Sequence, residues 1–244
     1  GDALSDDRTR EIARDAGAKV VDGGSPAEGR NAGASVAKAP LLLFLDADVR
    51  MRRGFLKRTI EEFYERDLVA ATCQVKPLSP LSTDRILHNF DNLFIRLAQD
   101  SDPNAPGYCI FATKAVFDRV GGFDETLKVA EDHNFVKRAA EHGRFRLLTS
   151  AKILVDVRRF DKEGRIGYAI KNVRISVYRA LQGEIKNDND FVEYEFGDYS
   201  EDDVSGSKKA LRKLEKGILK LDKAATELDK KLFQDAHGAD VRQR

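Results

Sequence analysis

The sequence contains few of the residues that mark disulfide-linked domains or metal-binding modules. Its 244 residues include two cysteines, four histidines and no tryptophan. Cys73 and Cys109 cannot build a framework of several disulfides, and the histidines show no ligand spacing with cysteines or with each other. Because the first residues also do not resemble a signal peptide, we expect a reduced, cytoplasmic setting in which both thiols are buried and inert.

Long hydrophobic runs and an excess of one charge are also missing. No apolar stretch approaches the ~20 residues that a membrane-spanning helix needs. The 42 Lys and Arg residues nearly balance the 41 Asp and Glu residues, which argues against general nucleic-acid binding. The apolar fraction of 41% is enough for a hydrophobic core. Length and composition therefore favour one globular domain with an appendage, and no nucleic-acid partner.

The most informative stretch is a short apolar run that ends in two carboxylates. Residues 41–45 are all Leu or Phe, which is typical of a strand buried on both faces, and Asp46 and Asp48 follow directly. Their i, i+2 spacing places both side chains on the same side of an extended segment. Two carboxylates held close repel unless a cation or protons lie between them. The pattern predicts either a cation site at a strand end or an acidic turn in which Asp46 caps a helix.

A glycine-rich helix start precedes this strand. Residues 29–34 read GRNAGA, and such small residues let a ligand or another backbone come close. Arg30, near the N-terminus of the predicted helix, is a candidate contact for an anion. The alternative is that the glycines only permit tight packing between the helix and the strand.

Amphipathic patterns after the acidic strand predict two longer helices, at residues 54–66 and 84–99. In the second helix, one face is expected to be buried through five apolar side chains: Leu87, Phe90, Leu93, Phe94 and Leu97.

Three short segments of the sequence form an ordered set. They are residues 2–9 (DALSDDRT), 29–33 (GRNAG) and 43–48 (LFLDAD). The set resembles the inverting family-two glycosyltransferases of the GT-A fold, which carry an Asp-x-Ser-x-Asp-x-Thr-like turn, an Arg/Lys-Asn-x-Gly helix start and an Asp-x-Asp strand end in that order. The resemblance implies an α/β fold with a mostly parallel, Rossmann-like sheet flanked by helices. Family members begin with one more strand and helix, so we expect this chain to be a fragment that lacks its first β-α unit.

The resemblance also implies a reaction and a donor site. A sugar would move from a nucleotide-diphosphate donor to an acceptor hydroxyl with inversion, the acceptor being a glycan, a lipid or a protein. Asp48, with Asp46 behind it, would hold Mg²⁺ or Mn²⁺, hard cations that prefer oxygen ligands. Arg30 and Asn31 would help to place the nucleotide.

A second acidic site lies at the start of a predicted helix that reaches about residue 141. Family members place an Asp from a Glu-Asp pair beside the acceptor, so the resemblance implies that Asp132 is the general base and that Glu131 contacts substrate. Glu125 is an alternative carboxylate, and simple stabilisation of the helix dipole is an alternative role.

Two adjacent arginines form a third candidate site. The resemblance places Arg158 and Arg159 near the diphosphate or the acceptor, and a solvated loop is the alternative.

The C-terminal third has a different composition from the rest. Residues 166–181 show a basic amphipathic pattern, which suits either core packing or contact with the inner face of the cell membrane. We expect three units: a glycosyltransferase-like domain (1–182), an acidic linker (183–207) and an amphipathic, coiled-coil-like helix (208–244). The last carries a heptad seam of Leu211, Leu214, Ile218, Leu221, Ala225, Leu228 and Leu232. Self-association through 208–233 is expected, and docking onto the enzyme domain is the alternative.

Two other functions fit parts of the sequence. A sugar-phosphate nucleotidyltransferase also joins an α/β sheet to acidic metal ligands, but the Gly-rich, Lys/Arg-containing first loop of that class is not seen here. An inactive scaffold that acts through its C-terminal helix would suit the missing opening strand. Fold alone does not separate these alternatives.

Overall fold

The computed structural model describes residues 1–158, 165, 175, 178, 179, 183–186, 215–229 and 231. Predicted features outside these ranges are Arg159, most of the basic pattern at 166–181, the linker beyond 186, and residues 208–214, 230 and 232–244 of the C-terminal unit. The elements in chain order are α1 (Thr9–Asp15), α2 (Pro26–Val36), β1 (Leu41–Leu45), β2 (Val49–Arg50), α3 (Phe55–Glu65), β3 (Leu68–Pro77), α4 (Ser82–Ala98), β4 (Cys109–Thr113), α5 (Lys114–Val120), α6 (Glu131–Ala140) and β5 (Arg144–Val155).

The five strands form one mixed sheet in the order β1-β4-β3-β5-β2. Only β3 and β5 pair in parallel, whereas β1 with β4, β3 with β4, and β2 with β5 are antiparallel. The prediction of a mostly parallel sheet is therefore wrong. An apolar run indicates that both faces of a strand are covered, but it does not determine the direction of the neighbouring strand.

The sheet must curve strongly for the acidic segment to connect its two edges. β1 and β2 lie at opposite edges, yet only residues 46–48 join them. Four interstrand gaps span ~19 Å in a flat sheet, whereas four residue steps cover at most ~14 Å. The register shift between Cys73 and Gln74, opposite Leu148 and Lys152, supplies a bend. As a result, Asp46–Asp48 lies at the end of the sheet where β1, β3 and β5 all terminate.

Apolar clusters cover both faces of the sheet. On one face, Leu42 and Phe44 of β1 join a cluster with α2, α5 and α6, which contains the ring contacts of Phe117, Phe123 and Phe135. On the other face, the alternate β1 residues pack against a cluster built around α3, with Phe55, Phe63, Cys73, Cys109, Phe111 and Leu148. Burial of β1 from both sides confirms that prediction. Both cysteines are free and buried, also as predicted.

Helix α4 buries a different face from the one predicted. Phe90, Phe94 and Leu97 are more than half exposed. The buried face instead carries Ile86, His88, Leu93 and Ile95 together with the polar side chains of Asn92 and Arg96. The Asn92 amide bonds both the N–H and the C=O of Val75, where β3 extends beyond β4. The amide thus satisfies a backbone edge that no strand pairs.

The C-terminal helical segment, residues 215–229, docks against α4. Ile218 and Ala225 pack with Ile86 and Leu93 of α4. Two seam positions therefore contact the domain, while Leu221 and Leu228 are exposed. Association of 208–233 with a second copy stays a prediction. Within the part of the chain that the structure describes, every helix is too short or too polar to span a bilayer.

Candidate active site

Helix α2 holds Arg30 at the end of the sheet where β1 stops. The helix begins at a capping box, in which the Ser25 side chain accepts from the Glu28 N–H and the Glu28 carboxylate accepts from the Ser25 N–H. Pro26 occupies the first turn, where its missing N–H costs nothing. This fixed start places Arg30 one turn into the helix.

Arg30 joins carboxylates from two distant parts of the chain. Its Nη1 donates to Glu131 Oε1 at 2.6 Å, and its Nη2 donates to Asp46 Oδ1 at 3.1 Å. The guanidinium also lies over the ring of Phe123, 5.4 Å from the centroid. The Arg30 side chain is only 14% exposed, so these bonds are charge-assisted in a partly desolvated site. Three residues predicted to bind substrate are therefore in direct contact.

Asp46 and Asp48 flank a turn between β1 and β2. Asp46 is partly buried, and Asp48 is exposed. Burial raises the pKa of the Asp46 carboxyl; the Arg30 charge opposes this rise, and the charges of Asp48 and Asp132 add to it. A cation near Asp46 and Asp48 would offset the last two effects.

Helix α6 starts from a strained residue that positions the predicted base. Ala130 precedes the helix with φ 62° and ψ 30°, a left-handed conformation that a residue with a Cβ adopts at a cost of ~1–2 kcal/mol. Such strain is concentrated at functional sites. Glu131, the first residue of α6, accepts a hydrogen bond from Arg30. Asp132, the next residue, accepts the His133 N–H through its Oδ1 at 2.8 Å. One Asp132 oxygen thus serves the helix end, and the other is directed elsewhere.

The second oxygen of Asp132 faces Gly107, which lies two residues before β4 begins. A Cβ built on Gly107 would lie 3.2 Å from Asp132 Oδ2 and would collide with Nη2 of Arg30. Leu45, at the end of β1, pairs with Cys109, which brings Gly107 to the same end of the sheet as Asp46. Arg30 and Asp132 therefore leave no space for a side chain at Gly107, and Arg30 also bonds Asp46 and Glu131. We call Arg30, Asp46, Glu131 and Asp132 the carboxylate cluster.

Asn31 has a supporting place beside this cluster. Its Nδ2 donates to the Phe123 carbonyl at 2.9 Å and to Glu125 Oε1 at 2.8 Å, while its Oδ1 accepts the Phe123 N–H at 2.9 Å. Its amide therefore fixes the loop that carries Phe123 under Arg30. Substrate binding by Asn31 stays a prediction.

Arg158 bonds a residue at the end of β5 rather than one of the carboxylate cluster. Val49 pairs with Val155, so Asp48 and Asp156 lie at the same end of the β2–β5 pair. Arg158 bonds Asp156 at 3.1 Å, and its side chain is 74% exposed. The predicted Arg158 site thus lies at the end of the β2–β5 pair. Its neighbour Arg159 is outside the described residues.

A family comparison identifies the N-terminal half of the chain. Residues 2–121 match the model of Glycosyl transferase family 2. Over these residues the chain is similar to glycosyl transferase family 2. The match includes Arg30, Asp46, Asp48 and Gly107, whereas Asp132 lies just beyond it. The predicted family is thereby confirmed.

Similar proteins fit this family-2 assignment. The pre-mycofactocin glycosyltransferase of Mycobacterium tuberculosis is 29% identical over 126 residues, which cover 48% of this chain and 27% of that protein. The chain thus spans about a quarter of the length of this curated relative. The mannosyltransferase PcManGT from Pyrobaculum calidifontis, solved with GDP-Man and Mn²⁺, has a TM-score of 0.55 at 16% identity and covers 99% of this chain and 70% of that one. The chain therefore has a glycosyltransferase fold.

A further solved structure is similar at lower overlap. S. aureus TarS in complex with UDP-GlcNAc has a TM-score of 0.49 and 21% identity, over 63% of this chain and 47% of that one.

The site contains carboxylate ligands that suit a hard divalent cation. No three His, Cys, Asp or Glu side chains in the described ranges are arranged as a metal cage. Mg²⁺ and Mn²⁺ sites that process nucleotides do not need one, since one or two carboxylates combine with substrate phosphates and water. Such a site fits the exposed Asp48 carboxylate. It also fits Asp46, whose raised pKa a nearby cation would lower.

Sequence reasoning missed three residues that shape the site. Gly107 allows the close approach of Arg30 and Asp132, Phe123 supports the guanidinium, and Ala130 sets the start of α6. Gly107 lies in a loop whose composition is ordinary for loops, and Ala130 carries no conformational signal. The roles of Gly107 and Phe123 depend on contacts with Arg30, which is distant in the sequence, and that of Ala130 depends on its backbone conformation.

Replacing Gly107 by Ala is expected to destabilise the domain by about 1–3 kcal/mol, the usual cost of overpacking. The new methyl group would displace the Arg30 guanidinium from its two carboxylates. Urea denaturation of the two proteins measures the difference. Gly33→Ala is the matched control, because Gly33 is helical, a Cβ there would make only an ordinary van der Waals contact with the Gly1 nitrogen at 3.9 Å, and the variant should gain about 0.5–1 kcal/mol. Equal stability of Gly107→Ala and the parent would contradict the tight contact.

Proposed function

We propose that this chain carries a metal-dependent, inverting glycosyltransferase site that moves a sugar from a nucleoside-diphosphate donor to an acceptor hydroxyl. One observation carries the proposal: Arg30 holds Asp46 and Glu131 together beside Asp132, at the carboxyl end of β1. This is the position at which open α/β sheets bind ligands. The match of residues 2–121 to a glycosyltransferase family supports the same reaction.

The donor site combines the acidic turn with Arg30. Asp48 and Asp46 would hold Mg²⁺ or Mn²⁺. When bound there, the cation would neutralise charge on the leaving diphosphate. Arg30 would orient the two carboxylates toward the donor, because it already bonds Asp46 and Glu131 at 3.1 Å and 2.6 Å. Glu131 balances the Arg30 charge. Because of this pairing, the Glu131 carboxylate is less available for proton transfer than that of Asp132.

Asp132 would act on the acceptor in a single displacement. Its carboxylate takes the proton of the acceptor hydroxyl while the acceptor oxygen forms a bond to the anomeric carbon. The bond from that carbon to the diphosphate oxygen breaks in the same step, so the nucleoside diphosphate leaves with the bonding electrons. Attack from the side opposite the leaving group inverts the carbon. The free side of Asp132, which faces Gly107, is consistent with this role.

Calorimetric titration of a nucleotide sugar tests the donor site. GDP-mannose and UDP-GlcNAc are suitable probes, each with Mn²⁺ and with EDTA. At least one donor should bind more tightly with Mn²⁺, and Asp48→Asn should lose about 10-fold in that affinity, equal to about 1.4 kcal/mol. The turn is exposed, so the fold should not change.

Asp118→Asn is the control for this substitution. Asp118 is an exposed carboxylate on α5 that pairs with Lys114, away from the turn. It should bind donor like the parent. Mn²⁺-independent binding, or equal loss in both variants, would contradict the metal assignment.

A further inference from the structure

A cationic groove lies between α3, α4 and the C-terminal helical segment, apart from the carboxylate cluster. It has a volume of ≈ 440 Å³, within the range of small-ligand sites. Its lining residues come from the turn after β2, the helices α3 and α4, the strands β3 and β5, and the C-terminal helical segment. None of Arg30, Asp46, Glu131 and Asp132 lines it.

The groove has a higher ratio of basic to acidic side chains than the chain as a whole. Five cationic side chains line it: Arg52, Arg58, Lys76, Arg85 and Lys152. Among the described residues, the lining contains one carboxylate, Glu215, although the whole sequence has 42 basic and 41 acidic residues. Converging like charges raise each other's free energy unless an anion neutralises them. The folding of five separate segments has therefore assembled a local positive potential.

Most of these charges remain available to a ligand. Glu215 pairs with Arg85 at 3.1 Å, and the Arg58 Nε donates to the Ser150 carbonyl. Arg52, Arg58, Lys76 and Lys152 are all exposed. Their ammonium and guanidinium groups can donate several hydrogen bonds to one polyanionic group, and phosphate oxygens suit both side-chain types.

Apolar side chains lie between the cations. Val75, Pro77, Leu154 and Leu219 also line the groove, together with the polar Asn89, so a ligand with a charged group and an apolar portion would find both kinds of contact. Leu219 and Glu215 belong to the C-terminal helical segment. This segment therefore forms one wall of the groove, which gives its docked position a role in binding.

We infer that this groove binds a phosphate-bearing ligand, either a soluble phosphate compound or the headgroup of an anionic lipid. The inference does not depend on sugar transfer, and it is tested without a donor or an acceptor. Charge pairing in an exposed groove weakens with salt, since screening shortens the range of the interaction to ~10 Å at 0.1 M.

Titration with tripolyphosphate, without metal and at 50 mM NaCl, provides the first test. Binding should be detectable and should weaken at least about 10-fold in the double variant Lys76→Glu, Lys152→Glu. The control is Arg14→Glu, Lys38→Glu, which makes the same change in net charge at exposed positions of other surfaces and should bind like the parent. Glu215→Gln should bind about threefold more tightly because a carboxylate that lines the groove is removed.

Vesicle co-sedimentation separates the two sources of phosphate. Vesicles of phosphatidylcholine with 30% phosphatidylglycerol are compared with pure phosphatidylcholine. Binding to the anionic vesicles that the Lys76→Glu, Lys152→Glu variant loses assigns a lipid headgroup, and binding of tripolyphosphate alone assigns a soluble ligand. Absence of both interactions overturns the inference. So do equal losses in the two double variants, or weaker binding by Glu215→Gln.

Discussion

Replacing Asp132 by Asn is expected to lower the rate of sugar transfer by about 10²–10⁴-fold, the usual contribution of a positioned general base. Asn keeps the shape of the side chain, and its Oδ1 can still accept the His133 N–H that Asp132 accepts at 2.8 Å. What it loses is the ability to take a proton. Donor affinity should be nearly unchanged, because the donor site is built from Asp46, Asp48 and Arg30. Transfer rates and calorimetric donor affinities, measured on the same preparations, separate the two effects.

Asp124→Asn provides the matched control for that experiment. Asp124 is a nearby carboxylate, and its oxygen accepts bonds from the N–H and the hydroxyl of Thr126 rather than facing the cluster. Its replacement should leave transfer within about twofold of the parent. If Asp132→Asn also transfers normally and melts at the same temperature, Asp132 is only a helix-end carboxylate. Glu125 would then be the next candidate, since Glu131 is occupied by Arg30.

The local positions of Arg30, Asp46 and Asp132 were predictable because they follow recognisable local patterns, whereas the roles proposed for them come from the family resemblance. Arg30 stands in a helix start, Asp46 ends a strand, and Asp132 starts a helix, so each local position was predictable. The contact between Arg30 and Glu131, residues separated by 101 positions, required the packing of α6 beside α2. Periodicity contains no information of that kind.

The sheet shows a similar division between local and global information. Residues 41–45 predicted a strand covered on both faces, and Leu42 and Leu43 do join opposite clusters. Strand direction was not predictable, because it depends on how the chain returns from α4 to β4. That return makes β4 antiparallel to both of its neighbours.

Helix α4 was misread because its buried face includes polar side chains with distant partners. Arg96 has 1% of its side chain exposed and is bonded to Asp222, 126 residues later. Counting apolar positions assigns such a residue to the surface. Phe90, Phe94 and Leu97 were accordingly placed inside, whereas all three are exposed.

The docking of residues 215–229 depends on two aspartates that are one heptad apart. Asp222 accepts from Arg96 Nε at 2.8 Å and from Gln74 Nε2 at 3.1 Å. Asp229 accepts from Arg66 at 2.5 Å and from Gln99 at 3.2 Å. Among the described residues, Nη1 and Nη2 of Arg96 have no hydrogen-bond partner. The Asp222 carboxylate is therefore the main compensation for a charge that docking removes from water.

Replacing Asp222 by Ala is expected to detach this helical segment. Removing one partner of a buried ion pair costs about 3–5 kcal/mol, and detachment limits that cost by returning Arg96 to water. The detached fraction should rise by about 10²-fold or more, and trypsin cleavage at Lys216, Lys220 and Lys223 should accelerate accordingly.

Glu227→Ala, which removes an exposed carboxylate from the same helix, should be cleaved like the parent. The apolar pair Arg96→Met, Asp222→Leu should restore protection, since it leaves no buried charge. Cleavage of Asp222→Ala at the parent's rate would show that the ion pair does not hold the segment in place.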